Sequence, residues 1–166
     1  MGSLQLSKLH VNEINAKGSD VTAMTIDSSG RVLKPAVPAF HCTKTSSQTA
    51  SGDDETILFQ RIDFDNGSNF ANNTFTVPIA GIYFFSFKWL SINDTNQHDL
   101  QICVNGTAVS RSRNANSSSS AHDTVTINYL ASLSVNDAVT CQIDQNGKKV
   151  YGSSSDWTTF MGYLIG

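Results

Sequence analysis

The sequence predicts an all-β fold, an antiparallel sandwich of short strands. Three observations carry this. Apolar residues nowhere recur at the i, i+3, i+4 spacing that marks an amphipathic helix. From residue 38 onward, runs rich in Val, Ile, Phe, Tyr and Thr are separated by clusters of Asn, Asp, Ser and Gly. Between two such runs lies Asn105-Gly106, the strongest short-range signal for a two-residue hairpin.

In chain order, strands are expected near 38–44, 57–64, 69–77, 81–92, 99–105, 107–112, 123–133, 138–144 and 158–165. The run FTVPIAGIYFFSF at 75–87 is the most informative. From Ile82 it alternates. Tyr83, Phe85, Phe87 and Trp89 share one face; Ile82, Phe84, Ser86, Lys88 and Leu90 share the other. A half-buried strand is apolar on one face only. Here the first face is wholly apolar and the second is apolar over its first half. That pattern predicts burial on both sides: one face in the sandwich core, the other against a second subunit. The 123–133 run alternates cleanly, with Val125, Ile127, Tyr129, Ala131 and Leu133 on one face and Leu130 on the other. Expected core residues are Phe75, Tyr83, Phe85, Phe87, Val125, Ile127 and Phe160. Expected intersubunit residues are Ile82, Phe84, Leu130, Met161 and Tyr163.

Strand parity orders the loops. Successive antiparallel strands after residue 81 bring the connections 93–98, 113–122 and 145–157 to one end. The turns 105–106 and 135–137 go to the other end, with the C-terminus. The first set crowns the free end, where binding usually sits on a rigid scaffold. Candidate receptor-facing residues there are Asn93, His98, Arg113, Asn116, His122 and Asp156.

Length and composition narrow the class. The 166 residues fit one domain plus a short appendage, and a domain of this size folds without disulfide or metal. A net charge of −3 argues against a nucleic-acid footprint. No run approaches the roughly 20 apolar residues of a membrane span, so no insertion is expected. Residues 1–20 show no secretory leader, which predicts synthesis in a cytoplasm. Cys42, Cys103 and Cys141 form neither a disulfide framework nor a ligand spacing, and read as buried free thiols.

Residues 1–35 read differently. Their β-type runs (4–11, 21–26, 31–33) are broken by turn residues at 17–20 and 27–30, and they are too poor in apolar residues for a core of their own. Pro35 and Pro38 stiffen the junction that follows. The expected division is therefore 1–35 as an attachment or shaft segment and 36–166 as the folded head.

The head carries a family resemblance. Phe75, Gly81, Tyr83, Phe85 and Phe87 stand at F-x5-G-x-Y-x-F-x-F spacing, and Phe160-Met161-Gly162-Tyr163-Leu164 closes the chain. These segments resemble the complement globular-head family, a branch of the tumour-necrosis-factor-like jelly rolls. The stretches 99–109 and 129–139 are similar to that family's middle hairpins. This chain departs in having Phe70 rather than an aromatic at Ser68, and Asn136-Asp137 where the family has Gly-Asp. The resemblance spans about 37–166 and implies a ten-stranded jelly roll assembling as a homotrimer. TIDSSGRVLKPAVPAF at 25–40 resembles the stretch preceding globular heads in bacteriophage fibre and other virion proteins. Together they imply a virion capsid or tail fibre, or decoration head. It would dock on other virion proteins through 1–35 and turn its crown toward a host-surface glycan or protein. The alternative is a secreted or cell-surface signalling or recognition ligand, whose relatives normally carry a signal and a collagen-like stalk. No G-x-y repeat occurs here.

Chemistry-bearing motifs are sparse. There is no phosphate loop, no dinucleotide fingerprint and no nucleophile elbow. His98-Asp99 and His122-Asp123 flank the crown loops without a recognisable ligand spacing, so no metal or cofactor is expected. No nucleophile is fixed beside a base, so no catalytic residue is expected. Sequons at Asn66, Asn72, Asn93, Asn105 and Asn116 match what chance gives in a chain rich in Asn, Ser and Thr.

Overall fold

A computed structural model of the chain describes residues 13–15, 18, 20, 22–91, 98–114 and 122–166. They divide into two compact units, residues 1–37 and 38–166. Every regular element described is a strand. The described part of the first unit is a three-stranded antiparallel sheet: β1 (Glu13–Asn15), β2 (Thr22–Ile26) and β3 (Val32–Leu33), in that order. The β2–β3 turn is closed by Asp27, whose carboxylate accepts from Ser29 N, Arg31 N and Arg31 Nε. Val32 and Leu33 stay exposed, as expected of a segment too poor in apolar residues for a core.

The second unit opens with β4 (Ala39–Thr43), β5 (Gln48–Thr49), β6 (Glu55–Thr56), β7 (Arg61–Asn66), β8 (Phe70–Ala71) and β9 (Thr74–Thr76). It continues with β10 (Gly81–Leu90), β11 (His98–Val104), β12 (Thr107–Asn114) and β13 (Thr124–Leu133). Last come β14 (Ala138–Ile143), β15 (Lys149–Val150) and β16 (Thr159–Leu164). One sheet has the order β13-β10-β16-β4-β7; the other runs β12-β11-β14-β9-β8, with β6 added beside β14. Sheets of five and six strands thus form the two faces of a jelly roll, and β5 with β15 makes a separate short ladder.

Two differences from the expected strands have local causes. The 69–77 run is a tight hairpin, because Asn72 and Asn73 both take positive φ between β8 and β9. The expected strand 57–64 begins only at Arg61. Residues 45–58 instead hold the two-residue strands β5 and β6 and their connecting turns beside Lys44, which is fully buried. Its ammonium donates to Gln48 Oε1 and Leu58 O, both at 2.9 Å. Gln48 in turn donates to Glu55 Oε1 and Thr56 O. The Asn105-Gly106 turn is as expected, with φ of 50° and 79°, the signature of a type I′ hairpin.

The core between the sheets is aromatic. Phe40 packs on Phe70, Phe75 and Phe160 at centroid distances of 4.9, 4.8 and 5.0 Å. Phe85 adds contacts to Phe75 and Phe160. Such ring pairs are each worth about 0.5–1.5 kcal/mol beyond the area they bury. Phe75, Tyr83, Phe85, Phe87, Ile127 and Phe160 lie in this core, and Val125 packs half-buried against its edge. Phe70 is buried within it, where the Ser68 position of the resembled pattern contributes no ring.

Candidate functional site

The back of the β13-β10-β16-β4-β7 sheet is the first candidate surface. Side chains alternate across a strand, so each core residue leaves its neighbours pointing outward. The register then lines these neighbours up. Phe84 sits between Leu130 and Tyr163, and Tyr163 faces Ala39. In the next row Ser86 faces Met161, Met161 faces His41, and His41 faces Phe64. Leu130 is 60% exposed, Phe64 54% and Ile82 46%; Tyr163 and Met161 are also exposed. The Phe84 and Tyr163 rings lie 5.7 Å apart, and His41 stacks on Phe64 at 6.2 Å. An apolar patch spanning five strands on the solvent side of a sheet marks an interaction surface.

All five residues expected at a subunit contact, Ile82, Phe84, Leu130, Met161 and Tyr163, fall on this one face, with Phe84 half-buried. Sequence reading missed Phe64 and His41. A bulge opposite His41 and Cys42 puts Asp63 out of register, so simple alternation through 61–66 misassigns the face. Asp63 gathers the polar margin of the patch. It accepts from Thr43 Oγ1 at 2.7 Å, pairs with His41 Nδ1 at 2.8 Å, and pairs with Arg61 Nε at 2.5 Å. Burial works to raise the Asp63 carboxyl. The bonds from Arg61, Thr43 and His41 outweigh it and hold the group below the usual carboxylate value.

The second candidate surface is the end of the sandwich that holds the crown loops. Ser91 N donates to Asp123 O, and Tyr151 N to Leu90 O, so the ends of β10, β13 and β15 meet there. At the opposite end, Val77 N donates to Asp137 O, Asn105 N to Ala138 O and Ile82 N to Gly166 O. The crown end holds a cavity of about 340 Å³ lined by Leu90, His122, Thr124, Tyr151 and Trp157. Its wall is fastened by Thr158, which is fully buried. The Thr158 hydroxyl donates to Tyr151 O at 2.6 Å and accepts from Leu90 N at 3.2 Å.

The crown residues expected from sequence separate into three groups. His122 lines the cavity, edge-on to Tyr151 at 6.1 Å and 90°. Arg113 and Asp156 are held by partners instead. Arg113 clasps both oxygens of Asp99 at 2.7 and 2.8 Å, and Asp156 pairs with Arg61. Asn93, Asn116 and the side chain of His98 lie outside the described residues, as do most of the 93–98 and 113–122 loops. Tyr151 and Trp157 carried no sequence signal, because a loop of irregular backbone delivers them beside a strand end distant in sequence.

No group of three or more His, Cys, Asp or Glu among the described residues is arranged to hold a metal ion. The outward side of the other sheet carries a buried polar row. Gln101 donates to Asp54 and Gln142, and burial together with the Asp99 carboxylate pushes the Asp144 carboxyl up. Among the described residues, no helix is long and apolar enough to cross a membrane.

Two antiparallel sheets with an aromatic core, an apolar back face and loops gathered at one end define a jelly-roll head. Residues 39–165 match the C1q domain, and the chain belongs to that family. The fold is similar to the globular domain of zebrafish complement 1qA protein, at 19% identity and a TM-score of 0.63, covering 78% of this chain and 98% of that one. It is also similar to murine APRIL at pH 5.0, at 14% identity and a TM-score of 0.65, covering 78% and 99% of the two chains. No curated protein sequence matches the chain. Domains of the C1q and tumour-necrosis-factor-like kind are, as a class, non-enzymatic recognition modules.

Proposed function

We propose that this protein is a non-enzymatic homotrimeric recognition head. One observation carries the reading: the continuous apolar back face holding Leu130, Ile82, Phe84, Tyr163, Met161 and Phe64. Three copies meeting on this face remove it from water, and threefold assembly is typical of the family. Residues 1–35 serve as the attachment segment. The resemblance of 25–40 to virion sequences supports a head carried on a bacteriophage capsid or tail fibre, or as a decoration knob, with its crown outward toward a host surface.

A second reading is a secreted or cell-surface ligand of the complement or tumour-necrosis-factor type. The likeness to the complement 1qA globular domain and to APRIL supports it through fold alone. Both readings require the trimer. Multi-angle light scattering of the purified protein should give three chains, and a stable soluble monomer refutes the assembly. Phe84→Asp should yield monomers, because assembly then buries an unpaired charge. To separate the two readings, the natural source is fractionated. Co-sedimentation with particles, lost on deleting residues 1–35, supports the virion role; a soluble glycosylated form supports the ligand.

A further inference from the structure

From the crown cavity, and resting on the reading of this protein as a recognition head, we infer that the head binds a neutral saccharide unit between Trp157, Tyr151 and His122. The argument runs from the chemistry of the walls. The volume of about 340 Å³ falls in the range of small-ligand sites, roughly 300–1,000 Å³. Two of its five lining residues are Trp and Tyr, side chains that offer an apolar ring and one polar handle. Trp157 remains 46% exposed, so its ring is open to a ligand rather than spent in the core. Leu90 supplies an aliphatic floor at 6% exposure.

The polar handles are unspent. The Trp157 indole N–H, the Tyr151 and Thr124 hydroxyls and the His122 imidazole form no hydrogen bond to a described residue. They comprise donors and acceptors around one cavity. No Lys, Arg, Asp or Glu lines it among the described residues. The nearest carboxylate in sequence to Trp157, Asp156, is already paired with Arg61. A ligand matched to these walls has apolar C–H faces for the rings, several hydroxyls for the handles, and no net charge. A hexose unit has that composition. An inorganic anion, a phosphorylated ligand or a purely aliphatic chain lacks part of it.

The cavity is also built to persist. Thr158 bonds Leu90 to Tyr151, and its own carbonyl accepts from Lys44 N. The walls therefore need little ordering when a ligand arrives, and preformed sites bind more tightly for that reason. Leu90 lies six residues along β10 from Phe84, about 20 Å at the rise of a strand, so the cavity is clear of the centre of the apolar face.

The test is calorimetric titration of the full chain with maltose, cellobiose, lactose, mannobiose and chitobiose, with 3′-sialyllactose as the anionic comparison. Saturable binding of at least one neutral disaccharide is expected. It should be accompanied by a change in tryptophan emission from Trp157, since Trp89 is fully buried. Trp157→Ala should weaken binding by about tenfold or more, the loss typical of a central aromatic anchor. Thr124→Val, which keeps the shape and removes one hydroxyl, should weaken it severalfold. The inference is overturned if no neutral disaccharide binds, if only the sialylated sugar binds, or if Trp157→Ala leaves the affinity unchanged. Light scattering of the same samples keeps the two ideas apart. A trimer that ignores sugars refutes the cavity assignment alone, and a sugar-binding monomer refutes the assembly alone.

Discussion

Replacing Gly162 by Ala tests the tightest contact in the core. Gly162 lies in β16 between Met161 and Tyr163, and its missing side chain points toward the sandwich interior. A Cβ there would stand 2.4 Å from Phe85 Cδ1, 2.7 Å from Phe85 Cε1 and 2.9 Å from Phe40 Cε1. All three are shorter than real Cβ contacts, so a ring must move. Neither ring has room: Phe40 is clamped by Phe70, Phe75 and Phe160, and Phe85 by Phe75, Tyr83 and Phe160. Overpacking of this kind costs about 1–3 kcal/mol. Gly162 is not in the left-handed region, so Ala suits its backbone and recovers roughly 0.4–1 kcal/mol through the unfolded chain. The expected net loss is about 1–2 kcal/mol. Urea unfolding at one fixed protein concentration reads it, since association would otherwise shift the midpoint. The variant's light scattering should match the wild type, because Gly162 faces away from Met161 and Tyr163. An unchanged or raised midpoint refutes the claim that Gly162 is required by ring packing.

Three further outcomes are expected. Burial lowers the Lys44 amine to about 8, against 10.5 for a free lysine. Between these values the unfolded chain holds more protons than the folded one, so stability rises with pH across that window. The stability difference between wild type and Lys44→Met should therefore grow in the wild type's favour by about 3 kcal/mol from pH 8 to 10.5, from roughly 1.36 kcal/mol per pH unit. A flat difference would show the amine to be solvated. The thiols of Cys42, Cys103 and Cys141 are buried and unpaired, with burial pushing Cys103 up to about 11 and the other two well up. Alkylation near pH 8 without reductant should label none in the native protein and three after denaturation. A Cys103–Cys141 bridge would contradict the register, in which Cys141 faces Ile102 and Cys103 lies on the opposite side of its sheet. Finally, Asp63→Asn should lower stability by about 1 kcal/mol at pH 7, because Arg61, Thr43 and His41 lose a charged acceptor. A chemical denaturation curve identical to wild type would show that this network contributes nothing.

The sequence alone determined whatever depends on neighbours along the chain. Period-two alternation placed Tyr83, Phe85, Phe87 and Ile127 inside, and it placed Ile82, Phe84 and Leu130 together on the other side. That parity is a property of extended backbone and needs no partner. The Asn105-Gly106 hairpin was equally local, set by two residues that tolerate positive φ. The same alternation ordered the loops into two ends. The tertiary structure alone decided what depends on contacts between distant segments. A bulge opposite His41 and Cys42 set Phe64 beside His41 on the apolar face, and nothing in the alternation of 57–64 marks it. Lys44 is buried because Gln48 and Leu58 O close over its amine, and these partners lie outside the strand that precedes it. The cavity draws Leu90, His122, Thr124, Tyr151 and Trp157 from four separate stretches of chain, brought together by sheet register and one hydroxyl of Thr158. Local pattern fixes which way each side chain points; only the completed sandwich fixes what it meets.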